Sequence, residues 1–173
     1  MRTAHTADLD LATLRSVRGL LDAAFADFDE HDWEHCLGGM HVLARSGGEL
    51  VGHGSVVQRR LLHAGRALRA GFLEGVAVRP DRQGGGQGRA VMAELERVVR
   101  GGYDLGALST TEDAAGFYAA RGWRVWRGPT SALTPGGVVR TPHDDGGVFV
   151  LPVAVALDLD GELTCDWRDG DLW

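Results

Sequence analysis

One stretch, residues 71–100, constrains the fold more than any other part of the chain. It begins with a short apolar run, 72–78, passes through a turn and four glycines within residues 84–88, and ends in a segment with apolar residues at helical spacing. This order predicts a strand, a glycine loop and an amphipathic helix. Backbone N–H groups in the first turn of a helix lack helical partners and carry the positive end of the helix dipole. The stretch therefore predicts a site for an anion such as a phosphate.

Two common phosphate-binding patterns do not fit this loop. A Walker loop requires a lysine after the last glycine, and the chain contains no lysine. The dinucleotide pattern Gly-x-Gly-x-x-Gly/Ala fails in both registers, because its last position falls on Arg89 or Val91. The loop does fit Gln83-x-x-Gly86-x-Gly88, which resembles the acetyl-CoA pyrophosphate loop of the GCN5-related N-acetyltransferases (GNAT).

The length, charge and cysteine content limit the classes to which the protein can belong. A chain of 173 residues suits a single domain spanning residues 1–173. A net charge of -6 disfavours nucleic-acid binding and suits a cationic ligand. The two cysteines give no disulfide framework, and the sequence has neither an N-terminal leader nor an apolar run of transmembrane length. We therefore expect a cytoplasmic protein whose partners include neither a nucleic acid nor a membrane.

The segment after the first predicted helix is rich in carboxylates and histidines. His31 and His35 stand one helical turn apart, with His41 further on, but no second ligand pair follows at a spacing that zinc sites use. We therefore predict no metal site. The carboxylates from Asp27 to Glu34 fit either a solvated loop or one wall of a pocket for a polycation.

The first half of the chain predicts a helix followed by an antiparallel meander. The helix covers residues 8–28, and Asp8 or Asp10 can cap it. Short glycine-containing turns then separate apolar runs, so consecutive strands should pair. These predicted strands are 40–43, 50–58, 61–62, 66–70 and 72–78.

The second half predicts a crossover and a loop-rich end. The helix after the glycine loop leads to an apolar strand over 103–109. A strand–helix–strand crossover makes that strand parallel to the 72–78 strand, so the sheet is mixed. A short helix over 113–123 follows. The remaining predictions are a loop of about twenty residues, 128–147, and strands at 148–151 and 153–157.

A second pattern strengthens the resemblance to the GNAT superfamily. Phe117-Tyr118-x-x-x-Gly122-Trp123 is similar to its second signature, in which a helix carries a tyrosine toward the thioester sulfur. The resemblance implies an α+β fold with a central, mostly antiparallel mixed sheet, a splayed pair of parallel strands and flanking helices. It also implies acetyl-CoA as cosubstrate and Tyr118 as the acid for the leaving thiolate. The structural alternative for Tyr118 is a core aromatic with a bonded hydroxyl.

A closer resemblance covers nearly the whole chain. EGVAVR, RTPHDDG and CDWRDGDLW are similar to segments of the aminoglycoside 2′-N-acetyltransferases of mycobacteria and related bacteria. This resemblance implies acetyl transfer to the 2′-amino group of aminoglycosides, hence antibiotic resistance, and a homodimer. His143 departs from the family pattern, where a carboxylate is expected.

Physical reasons support some of the implied roles. Glu74 lies in an apolar strand, where burial would raise its pKa toward that of a base for the acceptor ammonium. The alternatives are that Glu74 pairs with an arginine such as Arg69 or that it simply binds the cation. Gly75, inside the same strand, predicts a bulge or a close backbone approach. The N–H of Val76 would then stabilise the developing oxyanion.

The resemblance also assigns the binding residues. For acetyl-CoA these are Val76, Ala77, Val78, Gln83, Gly84, Gly85, Gly86, Gln87 and Gly88. For the aminoglycoside they are Asp27, Glu74, Gly75, Ser109, His143, Asp144, Asp171 and the Trp173 carboxylate. The C-terminal tail, residues 166–173, ends in leucine and tryptophan, which favour burial, so we expect it to be docked on the protein. The resemblance also implies that Trp173 joins Glu74 and Tyr118 as a catalytic residue.

Two other functions remain open at this point. One is a GNAT enzyme whose natural acceptor is another amine, such as a cell-wall amino sugar or a peptide. The other is a non-catalytic module that binds CoA as a sensor. Glu74 and Tyr118 together favour an enzyme over a sensor.

Overall fold

The computed structural model describes all residues, Met1–Trp173, as ten strands and four α-helices. The helices are α1 (Leu11–Ala24), α2 (Glu30–His35), α3 (Gln87–Gly102) and α4 (Glu112–Ala119). The strands are β1 (Arg2–His5), β2 (Met40–Ser46), β3 (Glu49–His63), β4 (Arg66–Val78), β5 (Leu105–Ser109), β6 (Arg124–Val125), β7 (Thr130–Thr134), β8 (Gly137–Arg140), β9 (Val148–Pro152) and β10 (Leu163–Cys165). Short 3₁₀ turns cover Thr6–Asp8 and Pro80–Arg82.

Helix α1 has one of the two predicted caps, Asp10, but it is shorter than predicted at both ends. The Asp10 carboxylate accepts a hydrogen bond from the Thr13 N–H at 2.7 Å and so caps the first turn. The helix ends at Ala24 because Phe25 adopts an extended conformation. The predicted continuation to residue 28 is therefore wrong.

The chain forms two compact units, and we describe them separately. The first comprises Met1–Val57 and Leu73–Val98. Its strands β1, β2 and the first part of β3 pair antiparallel, with Val42 opposite both Thr3 and Gly54. Helix α3 packs against β3 at a glycine, since a Cβ at Gly54 would lie 2.7 Å from Leu95 Cδ1.

The second unit comprises Gln58–Phe72 and Val99–Trp173. Its strands follow the hydrogen-bonded order β6-β9-β5-β4-β3-β10-β7-β8. The pairs β4–β5 and β10–β7 are parallel, while β5–β9, β6–β9, β10–β3 and β7–β8 are antiparallel. The core of this unit gathers around Phe72, Leu105, Trp126 and Trp173.

The parallel pair β4–β5 is short. Residues 70–72 pair with residues 105–107 and the pairing then stops, although β4 continues to Val78 and β5 to Ser109. The sheet is mixed, with helices flanking it, as the sequence predicted.

Two long strands replace four predicted ones. The predicted breaks near residue 59 and at Gly71 do not occur, and β3 and β4 turn only at Ala64 and Gly65, which have positive φ angles of 49° and 72°. A glycine within a strand is tolerated when neighbouring strands supply the hydrogen bonds. The strand that carries Glu74 is therefore the second half of β4.

The predicted loop over 128–147 is also wrong, because it contains the hairpin β7–β8. Its turn residues Pro135, Gly136 and Gly137 were a usable signal, but the flanking runs are too polar to identify without their pairing to β10. The predicted strand over 153–157 is absent. The N–H groups of Val153 and Ala154 both donate to the Asp104 carbonyl, at 3.2 and 2.9 Å, and this draws the chain away from the ladder.

Candidate active site

The glycine loop lies where β4 leads into α3. Gly84 and Gly86 have φ angles of +80° and +85°, and a Cβ at either position would meet open space. The Gln83 side-chain amide donates to the Val78 carbonyl at 3.3 Å and so ties the loop to the end of β4. The loop is thus an exposed cradle that requires glycine for its backbone conformation.

The loop residues fit an anionic group. The Ala90 N–H donates to the Gly86 carbonyl at 3.1 Å as α3 begins, so the N–H groups of residues 87–89 precede any helical partner. The nearest carboxylate in sequence, Asp81, is neutralised by Arg79 at 2.6 Å. These features suit the pyrophosphate of a nucleotide cofactor.

Glu74 and Gly75 occupy the second half of β4. Glu74 is half-buried, and its carbonyl accepts from the Ser55 hydroxyl at 3.4 Å. Gly75 has a φ of +54°, and a Cβ there would lie 2.7 Å from Cys36 Sγ. The predicted close approach at Gly75 is therefore confirmed, and no larger residue fits. Arg69 forms its ion pair with Asp104 at 3.3 Å.

The Gly75 carbonyl is held from inside the protein. His53 Nδ1 lies 2.8 Å from it, and His53 is fully buried. His53 was not singled out from the sequence, and its neighbour His41 was considered only as a possible metal ligand. A histidine inside the apolar run of β3 was the available signal, because strand alternation gives it an inward position.

An acidic surface lies on the segment that follows β8. Asp144 is half-buried, and its pKa is raised mainly by burial, with repulsion from Asp171 adding to the effect and a hydrogen bond from Thr141 opposing it. Asp145 has a structural role instead: it accepts from the Thr130 N–H at 2.9 Å and pairs with Arg140, which lowers its pKa to about 2. The two carboxylates available to a cation here are therefore those of Asp144 and Asp171.

The tail is docked, as predicted. The Trp173 side chain is buried and donates from its indole N–H to the Thr141 hydroxyl at 3.0 Å. Thr141 thereby contacts both the tail and Asp144, whose N–H donates to the Thr141 carbonyl at 3.0 Å. The exposed side chains of His143 and Asp171 belong to the same region, since both act electrostatically on Asp144.

A buried arginine that the sequence analysis missed holds the tail. Arg59, only 5% exposed, donates to the Asp166 carboxylate at 2.8 Å, to the Asp166 carbonyl at 2.9 Å and to the Leu172 carbonyl at 2.7 Å. Its guanidinium lies 4.8 Å from the centre of the Phe72 ring, and that of Arg168 lies 5.4 Å from it. Alternation along β3 places Arg59 on the same face as the buried Leu61, which was the usable signal.

Tyr118 and Ser109 lie near the C-terminal ends of their elements. Tyr118 is buried on α4, and burial raises the pKa of its hydroxyl, so it is a neutral phenol at pH 7. Ser109 is exposed at the end of β5. The next residue, Thr110, donates from its N–H to the Gly147 carbonyl at 3.0 Å, and the Gly147 N–H donates to the Asp144 carbonyl at 3.0 Å. Ser109 and Asp144 therefore lie in one connected loop region.

The predicted residues fall into two groups, one in each unit. The first unit contains Asp27, Glu74, Gly75, Val76, Ala77, Val78 and the loop residues 83–88; the second contains Ser109, Tyr118, His143, Asp144, Asp171 and Trp173. Asp27 is exposed in the turn after α1. No group of three or more histidine, cysteine, aspartate or glutamate side chains is arranged to hold a metal ion. None of the helices combines the length and the apolar character needed to cross a bilayer.

The fold and the two sequence signatures define an acyltransferase class. The chain belongs to the acetyltransferase (GNAT) family, whose sequence model matches residues 9–123. It is also 53% identical, over 177 residues, to an aminoglycoside 2′-N-acetyltransferase from Mycolicibacterium fortuitum; the match covers 99% of this chain and 91% of that protein.

Solved structures share the fold at low identity. A GNAT family acetyltransferase from Brucella melitensis, in complex with acetyl-CoA, superposes with a TM-score of 0.63 and 18% identity, covering 94% of this chain and 93% of that one. Eis1 from Mycobacterium abscessus gives a TM-score of 0.62 and 16% identity over 76% of this chain. The matched region is 33% of the Eis1 chain, so this chain spans about a third of that protein. These likenesses confirm the predicted GNAT fold.

Proposed function

We propose that this protein transfers the acetyl group of acetyl-CoA to the 2′-amino group of aminoglycosides and thereby confers resistance to them. The observation that carries the proposal is the 53% identity to the M. fortuitum aminoglycoside 2′-N-acetyltransferase across 99% of this chain. The choice of the 2′ position rests on that relative, because charge and geometry alone do not select one amine among several.

Acetyl-CoA is the cosubstrate in this proposal. The N–H groups at the start of α3 and the loop residues 83–88 bind its pyrophosphate, and the backbone of residues 76–78 pairs with the pantetheine arm much as a neighbouring strand would. When bound, it supplies an acetyl group activated as a thioester. The exposed glycines and the N–H groups that precede the first helical hydrogen bond of α3 support this assignment.

Three groups of the chain handle the charges of the reaction. Glu74, directly or through a water molecule, removes the proton from the acceptor ammonium, and its half-buried position in β4 supports this role. The N–H of Val76 donates to the oxyanion that develops when the amine attacks. The neutral phenol of Tyr118 donates a proton to the leaving thiolate.

The acidic surface recognises the polycationic sugar. Asp144 and Asp171 repel each other, so an ammonium group bound by both relieves that repulsion. Charge-assisted hydrogen bonds of this kind contribute about 1.5–3 kcal/mol each. Asp27, Gly75, Ser109, His143 and the carboxylate of Trp173 complete the proposed set.

The proposal extends to assembly and location. We infer a single catalytic domain over residues 1–173, active as a homodimer in the cytoplasm. The family resemblance supports these inferences. The exposed Val138 and Val139 on strand β8 offer an apolar surface compatible with a dimer.

The test measures thiol release from acetyl-CoA with pairs of aminoglycosides that carry either an amine or a hydroxyl at the 2′ position. We expect turnover only with the 2′-amines, and NMR of the product from a compound with both 2′ and 6′ amines should show acetyl at 2′. Acetylation at another position would refute the aminoglycoside assignment and leave the GNAT family unchanged. Absence of thiol release with any acceptor amine would support the sensor alternative.

A further inference from the structure

Two buried histidines connect the protein interior to the peptide between Gly75 and Val76. His53 Nδ1 lies 2.8 Å from the Gly75 carbonyl oxygen, and His53 Nε2 lies 2.9 Å from His41 Nδ1. His41 Nε2 lies 2.8 Å from the Thr6 hydroxyl. Both rings have no exposed surface. In the β2–β3 pairing His41 is opposite Ser55. His53 lies two residues before Ser55 on β3, so it is the diagonal neighbour of His41 on the same face of the sheet.

The direction of these hydrogen bonds is fixed by the carbonyl at one end. A carbonyl oxygen only accepts, so His53 Nδ1 carries the proton and donates. In a neutral ring His53 Nε2 must then accept, and His41 Nδ1 donates to it. His41 Nε2 accepts in turn from the Thr6 hydroxyl, whose 2.8 Å contact to this nitrogen is shorter than its 3.3 Å contact to the Gly39 carbonyl. The Thr6 hydroxyl itself accepts from the Gly38 N–H at 2.9 Å. Every bond therefore points toward the Gly75 carbonyl.

Both rings are neutral at pH 7. Burial, together with a smaller repulsion from His5, lowers the pKa of His41 to about 4. Burial also lowers the pKa of His53 to about 3, although its bond to the Gly75 carbonyl opposes this effect. The neutral state is the one that the one-directional chain of hydrogen bonds requires.

The geometry of one peptide unit connects this chain of bonds to the proposed chemistry. The carbonyl of Gly75 and the N–H of Val76 belong to the same planar unit, and no peptide bond in the protein is cis. In a planar trans peptide the two groups point in opposite directions. A carbonyl held by His53 therefore aims the Val76 N–H away from the buried rings. Hydrogen bonding to the carbonyl also polarises the amide, and aligned bonds strengthen one another.

We propose that His53, supported by His41 and Thr6, is a positioning residue that orients and polarises the Gly75–Val76 peptide so that the Val76 N–H stabilises the oxyanion. This inference rests on the proposed acetyl transfer. When the amine nitrogen bonds to the thioester carbon, the carbonyl electron pair moves onto oxygen, where the Val76 N–H donates to it. Collapse of this intermediate expels the thiolate and restores the carbonyl.

The test compares variants of three buried histidines, His41 on β2 and His53 and His63 on β3. His53→Leu removes the donor, His53→Asn keeps an amide donor near the position of Nδ1, and His41→Leu removes only the support. The matched control is His63→Leu, because His63 is also buried on β3 and bonds a carbonyl, that of Glu162 at 2.9 Å, without contacting Gly75. Losing a direct oxyanion donor costs about 10²–10³-fold in kcat, so we expect about 10–10²-fold for losing its orientation.

The expected pattern has a kinetic part and a spectroscopic part. His53→Leu lowers kcat with both KM values within about threefold of wild type, His53→Asn retains most of kcat, and His41→Leu falls between them. In ¹⁵N NMR both His41 and His53 show a protonated Nδ1, and the Val76 amide proton shifts in His53→Leu but not in His63→Leu. If His53→Leu does not fold, the kcat values of His53→Asn and His41→Leu test the positioning role instead.

The outcomes separate this inference from the function on which it rests. A wild-type protein that releases no thiol with any amine overturns the proposed function. An active wild type whose His53→Leu variant keeps full kcat overturns the positioning role alone. A His53 ring protonated at Nε2 also overturns it, because the chain of bonds would then point the wrong way.

Discussion

Glu74 combines a half-buried carboxylate with a position directly before the left-handed Gly75. If Glu74 is the base, replacing it with glutamine keeps its shape and removes its ability to accept a proton. We therefore expect Glu74→Gln to lower kcat/KM by about 10²–10⁴, the range for general acid–base catalysis. Steady-state kinetics across pH would measure both this loss and the disappearance of the ionisation assigned to Glu74.

A matched control is Glu30→Gln. Glu30 is an exposed carboxylate that pairs with Arg18 at 2.8 Å, and its neutralisation should leave kcat/KM unchanged. A loss of less than about fivefold for Glu74→Gln, with the pH profile intact, would assign Glu74 a structural role instead.

The docked tail depends on strand β3 through one side chain. Arg59 makes three hydrogen bonds to residues 166 and 172. Arg59→Met retains the packing on Phe72 but removes these bonds, at a cost of about 2–4 kcal/mol in unfolding free energy. We expect faster hydrogen exchange over residues 166–173 and a higher KM for the aminoglycoside, with the KM for acetyl-CoA unchanged.

The neighbouring Arg60 provides the control for this prediction. Its side chain is exposed on the opposite face of β3, so Arg60→Met should change neither the exchange of the tail nor the KM. If Arg59→Met alters exchange at the tail while the KM for the aminoglycoside stays at its wild-type value, then the tail is structural and takes no part in substrate binding.

The elements that are marked by a pattern within a short stretch of sequence were predictable. The glycine loop and α3 follow from glycine spacing and helical periodicity, and the docking of Trp173 follows from an apolar residue in a polar tail. Alternation along β3 indicated an inward position for Arg59, but its partner Asp166 lies 107 residues away and was not predictable. The hairpin β7–β8 was missed for the same reason, since its strand β7 gains a parallel partner only when β10 is in place.

Over the whole chain, composition predicted the class of ligand and nothing finer. A net charge of -6 suits a cationic substrate, but many of the carboxylates are engaged with arginines, as Asp22, Asp145 and Asp160 are. What distinguishes Asp144 is that it is half-buried with a raised pKa. That property depends on the surrounding fold, which a sum of charges does not describe.

The stability of the whole protein should depend on pH through the buried histidine pair. In the unfolded chain a histidine titrates near its reference pKa of about 6.5. In the folded protein burial lowers the pKa to about 4 for His41 and to about 3 for His53. Between these values the unfolded state binds more protons than the folded state, so the free energy of unfolding rises with pH. The contribution of the two histidines to stability is fully present above about pH 6.5 and is lost as the pH falls to about 3.

Urea unfolding between pH 7.5 and pH 5 measures this loss. We expect wild type to lose about 2–4 kcal/mol of unfolding free energy from pH 7 to pH 5, since each proton contributes up to about 1.4 kcal/mol per pH unit. Carboxylates with lowered pKa values, such as Asp145 at about 2, contribute little in this window because their unfolded values lie near 3.8. The raised pKa of Asp144 acts weakly in the opposite direction.

The control is a variant with asparagine at both His41 and His53, whose unfolding free energy should change less with pH. Equal slopes in the two proteins would mean that the folded state protonates these rings as readily as the unfolded chain does.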